Sequence, residues 1–145
     1  MPFPLETPHL LIRPFTTADV RAAHRLYSDA DAMRAHPHHR SSSLDETRRL
    51  LRSLILRHYL HGVSLWAITE RASGRLIGDC GFLLEDREHF EVCFLCRLLP
   101  EHRTETYKKE AVRACLAYAE AVLSSSGFRV RSPENKQRRT PNAEL

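Results

Sequence analysis

Apolar positions in the first third of the chain give one short strand pattern and then two helical patterns. Residues 10–15, with the sequence LLIRPF, predict a strand that the proline ends. Apolar residues at helical spacing predict an amphipathic helix over 17–28. A second apolar stripe predicts a helix over 44–60, which Ser43 opens as a capping residue and Gly62 ends. The pattern therefore begins with a strand followed by two helices.

The period of the pattern changes after residue 62. Apolar and β-branched residues predict three strands, over 64–69, 75–84 and 89–96, joined by tight turns. Gly78 and Gly81 lie inside the second of these strands, where glycine indicates a bulge or the close approach of another backbone. This segment predicts an antiparallel meander.

The last third returns to a helical period. Residues 99–106 predict a loop, 107–123 a helix and 128–131 a minimal strand. The predicted buried face of the helix comprises Ala111, Cys115, Tyr118, Ala119 and Val122. Residues 132–145 have almost nothing to bury, which predicts a disordered basic tail after a single domain over 1–131. The element order predicts an α+β fold of three layers, with one mostly antiparallel mixed sheet flanked by helices.

Composition fits one globular domain. The chain has 145 residues, of which 42% are hydrophobic and 28% charged. It shows no apolar run of membrane-spanning length and no secretory signal, so we expect a cytoplasmic protein with no membrane partner. The net charge of +4 arises entirely in residues 103–145, which indicates an anionic partner such as phosphate. Nucleic acid is the weaker alternative because only Phe128 is interleaved with the basic residues of the tail.

Two groups of residues resemble metal ligands. Cys93 and Cys96 form a C-x-x-C sequence, but residues three apart on a strand point to opposite faces, so buried structural thiols are favoured. His36, His38 and His39 surround a proline at a spacing that fits no known ligand frame. Their segment is either a solvated loop or part of the wall of a substrate pocket. We expect no metal site.

Several segments together resemble the GNAT N-acetyltransferases, in the branch of the ribosomal-protein-alanine acetyltransferases. The opening strand (7–16, TPHLLIRPFT) and the central hairpin (66–68, WAI, and 74–81, GRLIGDCG) carry the first part of the resemblance. The second part follows in the family's order, through Glu91-Val92, Pro100-Glu101-His102, Tyr107, Glu110-Ala111-Val112-Arg113 and Pro133-Glu134-Asn135. The resemblance covers roughly residues 7–139.

This resemblance implies a reaction and a set of residues for it. Acetyl-coenzyme A would be the donor, and a primary amine, on a protein N-terminus or a small molecule, would attack it directly. Glu91 would be the general base, although it also suits a surface position at a strand edge. The implied cofactor-binding residues are Phe94, Leu95, Arg103, Thr104, Glu105, Thr106, Tyr107 and Asn135.

The chain departs from the family pattern in its pyrophosphate loop. The family's Q/R-x-x-G-x-G/A sequence corresponds here to 101–106, with Glu101 first and with Thr104 and Thr106 at the glycine positions. Threonine disfavours positive φ, whereas Arg103 and the two lysines at 108 and 109 restore positive charge. Replacing both threonines by glycine is therefore expected to raise the affinity for acetyl-coenzyme A.

A second departure lies at the end of the chain. After Asn135 the sequence lacks the family's last helix and strands, which predicts an exposed sheet edge where a second copy would pair as a homodimer. These departures support a second hypothesis, in which the chain is a catalytically inactive or truncated GNAT-like domain that acts as a binding module. Saturable binding of acetyl-coenzyme A separates the two hypotheses.

Overall fold

The computed structural model describes residues 3–123 and 125–131, which form one six-stranded sheet with helices on both faces. The strands follow one another in chain order across the sheet, and every neighbouring pair is antiparallel except the last, which is parallel. The elements are β1 (Leu5–Glu6), β2 (Leu10–Arg13), α1 (Val20–Tyr27), α2 (Leu44–His61), β3 (Leu65–Glu70), β4 (Leu76–Asp86), β5 (Glu91–Leu98), α3 (Glu105–Tyr118) and β6 (Arg129–Arg131). The predicted α+β fold with a mostly antiparallel sheet is confirmed.

The sheet separates two apolar cores. One core lies under α1 and α2, and its fully buried members include Leu26, Tyr27 and Leu54. The other lies under α3, where Trp66 and Cys115 are completely buried. Each helix therefore hides its apolar stripe against one face of the sheet, which gives the three layers. Within the described residues, no helix has the length and apolarity needed to cross a bilayer.

The second helix follows its sequence signals closely. Ser43 has an extended backbone, and its hydroxyl accepts a hydrogen bond from the backbone N–H of Glu46 at 3.1 Å. Gly62 ends the helix in the left-handed region, with φ +67° and its N–H donating to the carbonyl of His58. Both capping predictions are confirmed because each depends on local chemistry alone.

Several predicted boundaries are wrong by a few residues. The first strand stops at Arg13, and β5 begins at Glu91 because residues 87–90 form the hairpin turn, with Phe90 at φ +54°. The third helix starts at Glu105, two residues before the predicted start at 107. The loop predicted over 99–106 is therefore shorter, and it contains a 3₁₀ turn at Pro100–His102. Its last turn, Ala119–Leu123, has π geometry and buries Leu123 rather than Val122.

The glycines of β4 allow close backbone approach, as predicted. A Cβ atom at Gly78 would clash with the carbonyl oxygen of Arg97, and one at Gly81 would clash with that of Ser64. Gly81 also has φ +149°. The predicted tail over 132–145, Asn135 and the predicted loss of the last helix and strands all lie outside the described residues.

Candidate functional site

A groove of about 410 Å³ runs along the outer edge of β5. Among the described residues β6 pairs with β5 only from Glu91 to Cys93, so no described strand covers the rest of that edge. The walls of the groove are the turn over 31–35, which follows α1, the second half of β5, and two cations near the start of α3. Its lining residues are Asp31, Ala32, Arg34, Ala35, Leu95, Cys96, Arg97, Leu98, Arg103 and Lys108.

The register of β5 determines which backbone groups face this groove. Leu99 donates its N–H to Ile77 of β4, and Phe90 accepts from Arg129 of β6. Because backbone groups alternate in direction along a strand, odd-numbered residues of β5 face β4 and even-numbered ones face the outer edge. The N–H groups of Phe94 and Cys96 therefore face the groove. Leu95, predicted beside Phe94 as a backbone donor, faces β4 and lines the groove with its side chain instead.

Four cationic side chains and one carboxylate line the groove, and one of the four, Arg97, forms an ion pair with Asp79 of β4. Asp31 forms ion pairs with Arg34 at 2.8 Å and with Arg103 at 3.3 Å. Arg103 also donates to the carbonyl of Leu98 at 3.1 Å, which ties its guanidinium to the end of β5. Lys108 lines the same groove, and none of the described carboxylates pairs with it. The arrangement leaves an excess of positive charge where an anionic ligand would enter.

The start of α3 supplies further donors beside these cations. Thr104 is the capping residue, and its hydroxyl accepts from the N–H of Tyr107 at 3.1 Å. Among the described residues nothing accepts from the N–H groups of Glu105 and Thr106, the first two of the helix. Helix N-termini of this kind favour anions.

The two threonines do not adopt the backbone geometry that glycine would allow. Thr104 has φ −120° and ψ 153°, and Thr106 lies in the first turn of α3. Of the described residues, only Phe90 and four glycines outside this loop have positive φ. A capped helix start therefore stands where the family pattern has a glycine turn, and neither threonine needs a positive φ.

The predicted cofactor-binding residues lie on different surfaces of the protein. Leu95 and Arg103 line the groove, and Thr104 caps the helix beside it. The ring of Phe94 packs against that of Phe82, with 5.9 Å between centroids, so only its backbone is available.

The remaining predicted residues lie elsewhere on α3. Tyr107 donates its hydroxyl to Glu70 at 2.6 Å, at the end of β3. Thr106 lines a separate groove formed with residues 6–8. Glu105 lies on the outer surface of α3 with Lys109 and Arg113. These three side chains do not line the groove at β5.

Glu91, the predicted base, begins β5 and is partly buried. It lies 3.7 Å from Arg131 of β6, which also forms an ion pair with Glu85. Glu85 occupies a β-bulge, since the pairing of β4 with β5 shifts between Leu84 and Asp86. Bulges redirect side chains near active sites. Sequence reasoning missed Glu85, because nothing in the local pattern marks the bulge.

A buried polar network lies beneath the groove and was also missed. Asp79 is fully buried and accepts from Arg97 twice, at 3.0 and 2.7 Å, and from the hydroxyl of Tyr27 at 2.7 Å. Arg97 donates a further hydrogen bond to Nδ1 of His39 at 2.9 Å. The signal in the sequence was an aspartate inside the apolar run LIGDCGF. The network connects β4, β5 and α1 with the turn that carries the histidines.

The pKa values in this network follow from burial and from its charges. Burial and the Asp79 charge raise the pKa of Tyr27 well above its usual value. Burial opposes ionisation of Arg97, but the Asp79 carboxylate outweighs it and raises the pKa of that guanidinium. Burial and the Arg97 charge lower the pKa of His39 to about 4. His39 is therefore neutral near pH 7, with Nδ1 as an acceptor.

Neither the two cysteines nor the three histidines singled out in the sequence belong to a set of three converging ligand groups among the described residues. Cys93 is buried, whereas Cys96 on the opposite face lines the groove. Within the described part of the chain, the one set of three converging ligand groups is Asp86, Glu88 and His89, in the hairpin turn before β5. His89 already contacts Asp86 at 2.8 Å.

Comparisons with known proteins agree on one family. A sequence model of the acetyltransferase (GNAT) domain matches residues 9–139. The chain is 23% identical over 122 residues to the uncharacterized N-acetyltransferase YoaA of Bacillus subtilis, covering 84% of this chain and 69% of YoaA.

Two solved structures share the fold. An acetyltransferase of the GNAT family from Bacillus anthracis has a TM-score of 0.68 at 23% identity, covering 92% of this chain and 76% of its own. RimL, a ribosomal L7/L12 alpha-N-protein acetyltransferase solved in complex with coenzyme A, has a TM-score of 0.64 at 18% identity. That match covers 78% of this chain and 64% of RimL.

Proposed function

Because this chain belongs to the acetyltransferase (GNAT) family, we propose that it transfers an acetyl group from acetyl-coenzyme A to a primary amine. The observation that carries the proposal is the groove along the part of the β5 edge that no described strand covers. Besides Arg97, which pairs with Asp79, it combines three cations at its walls with two outward-facing backbone N–H groups, as an anionic thioester substrate requires. RimL, which shares the fold, is solved with coenzyme A.

The chemistry of the groove suggests which residues hold the substrate. Arg34, Arg103 and Lys108 would bind the pyrophosphate, because guanidinium and ammonium groups form charge-assisted hydrogen bonds with phosphate oxygens. The unused N–H groups of Glu105 and Thr106 would add two neutral donors. Leu95 offers apolar surface to the pantetheine arm.

The reaction would proceed by direct attack of a neutral amine on the thioester carbon. The new N–C bond forms as electrons move onto the carbonyl oxygen, which the N–H of Phe94 or Cys96 would stabilise. The C–S bond then breaks, and coenzyme A leaves as a thiolate that takes up a proton. The ammonium proton passes to a base.

We assign the base to Glu91, with Glu85 as its neighbour. The two carboxylates share Arg131, and Glu91 stands at the start of the pairing between β5 and β6. His39 is a poorer candidate, because its Nδ1 accepts from Arg97 and its pKa is about 4.

We propose a protein N-terminus or a small amine as the acceptor. RimL acts on an α-amino group of ribosomal L7/L12, and the sequence resembles the branch that acts on ribosomal proteins. The histidine turn, Pro37–His39, lies against Arg97 of the groove and would form part of the acceptor wall.

Titration calorimetry with acetyl-coenzyme A tests the proposal. The unmodified protein should bind saturably, and Arg103→Gln should weaken binding about tenfold, a loss of about 1.4 kcal/mol for one phosphate contact. Arg48→Gln is the matched control, since Arg48 pairs with Asp45 on α2 and carries the same charge. Release of the coenzyme A thiol would then be followed with peptides and polyamines as acceptors. Absence of binding by folded protein would favour the binding-module hypothesis.

A further inference from the structure

We propose that Asp31 lowers the affinity of the groove for its anionic substrate, by occupying the guanidinium groups that would otherwise bind phosphate. The inference rests on the proposed function and concerns the same groove. Asp31 pairs with two of the three arginines that line the groove, Arg34 at 2.8 Å and Arg103 at 3.3 Å, and it is the one carboxylate among the lining residues. The third arginine, Arg97, pairs with Asp79 instead.

Asp31 is held in place by the turn that follows α1. Ala32 and Met33, its next two neighbours, are buried in the core beneath α1 and α2. The N–H of Ala32 donates to the carboxylate of Asp29 at 2.9 Å, and that of Met33 to the Asp29 carbonyl at 3.1 Å. Arg34 donates its own N–H back to the carbonyl of Asp31 at 3.2 Å. These contacts fix the backbone that carries Asp31, so its carboxylate stays beside the groove.

A bound pyrophosphate would meet this carboxylate at close range. Its oxygens require the same guanidinium donors, and both groups are negative, so they compete for Arg34 and Arg103 and repel each other. Arg103 can keep its hydrogen bond to the Leu98 carbonyl while it exchanges Asp31 for phosphate, because its guanidinium has five donors. The side chain of Asp31 is 41% exposed, so solvent screens the competition and limits its size.

The charge of Asp31 affects phosphate affinity more in this groove than it would beside a glycine-rich loop, where more backbone N–H groups bind the phosphate. Thr104 already accepts from the N–H of Tyr107, so one backbone donor of the helix start is occupied. Binding then depends more heavily on the side-chain cations, and a single carboxylate among them has a correspondingly larger effect. Asp31 and the capping threonine act in the same direction, toward weak binding.

Titration calorimetry of Asp31→Asn tests the inference. The substitution removes the charge and keeps the size of the side chain, so affinity for acetyl-coenzyme A should rise about three- to fivefold at low salt. The gain should shrink in about 0.5 M salt, where exposed charges are screened. Asp45→Asn is the matched control, because it removes an exposed carboxylate that pairs with Arg48 on α2 and changes the net charge equally. Asp31→Ser repeats the test with a different side chain.

Three outcomes would overturn the inference. Affinity of Asp31→Asn equal to that of the unmodified protein would show that Asp31 does not compete. A weaker affinity would show that Asp31 orients the arginines for phosphate. An equal gain in Asp45→Asn would show a general charge effect.

Inorganic pyrophosphate, titrated in parallel, separates this inference from the proposed function. Tighter binding of pyrophosphate by Asp31→Asn, without binding of acetyl-coenzyme A by any variant, would support the role of Asp31 and contradict the proposed function. Saturable binding of acetyl-coenzyme A that is equal in the unmodified protein and the Asp31 variants would support the proposed function and contradict the role of Asp31.

Discussion

The partners of the important polar side chains in this protein lie far away in the sequence and are brought close by the fold. The family resemblance implied Arg103 as a cofactor-binding residue, and its charge was expected to compensate in part for the missing glycines. Asp31, which pairs with it, lies 72 positions earlier in the chain. Asp79 and Arg97 meet across two strands, and their pairing requires the register of β4 with β5. No local pattern specifies such partners.

His39 illustrates how such a contact changes the pH dependence of stability. Its pKa in the folded protein is about 4, against about 6.5 in an unfolded chain. Between these values the unfolded chain takes up a proton that the folded protein does not, so this group makes the free energy of unfolding fall as pH decreases from 6.5 toward 4. Below pH 4 both states are protonated and the effect of His39 levels off.

His39→Asn isolates this contribution, because the asparagine oxygen can still accept from Arg97 but does not titrate. Urea unfolding at several pH values should show a smaller decrease between pH 6.5 and 4 in the variant than in the unmodified protein. Parallel curves for the two proteins would contradict the assigned pKa.

At the scale of elements, the sequence predicted the three α-helices and every described strand except the two-residue β1. Capping residues and apolar periodicity are local signals, and they located α2 almost to the residue. The predicted boundaries were wrong where tertiary geometry determines them. These places are the hairpin turn with Phe90 and the start of α3, which lies two residues before the predicted position. The backbone of the cofactor loop could not be read from the sequence for a related reason. Its glycine positions were compared with a family pattern, whereas this chain builds a capped helix start there.

Thr104 gives a prediction about that helix start. Thr104→Ala removes the acceptor for the N–H of Tyr107 and should lower the free energy of unfolding by about 1 kcal/mol, while Thr104→Ser should retain stability. Thr104→Gly should cost only a few tenths of a kcal/mol and should bind acetyl-coenzyme A more tightly, because it leaves the Tyr107 N–H available. Urea unfolding and calorimetry measure the two effects. Equal affinity in the glycine variant would place the anion elsewhere.

At the scale of the whole molecule, the network around Asp79 joins the helical layer to the centre of the sheet. Tyr27 reaches the carboxylate from α1, and Arg97 reaches it from β5. The side chains of Asp79 and Arg97 are 0% and 5% exposed, so each compensates a charge that water cannot reach.

Asp79→Asn should therefore lower the free energy of unfolding by about 3–5 kcal/mol, since it leaves the Arg97 charge buried without its partner. Tyr27→Phe removes one hydrogen bond and should cost about 1 kcal/mol. Urea unfolding checks both values. The double variant Asp79→Asn with Arg97→Gln should lose less than the sum of the two single variants, and additive losses would contradict the coupling.

The order of strands has a consequence for how the chain acquires its structure. Each strand from β2 to β5 pairs with the strand that precedes it in sequence, so every new strand adds to a surface already formed. The pairing of β3 with β2 waits for the segment that contains α1 and α2, and the parallel pairing of β6 with β5 waits for the crossover through α3. A ribosome releases the chain in this same direction, so β1–β5 and the α1–α2 layer can assemble vectorially before α3 emerges. The substrate groove then forms last, because its final wall is the last helix to be synthesised among the described elements.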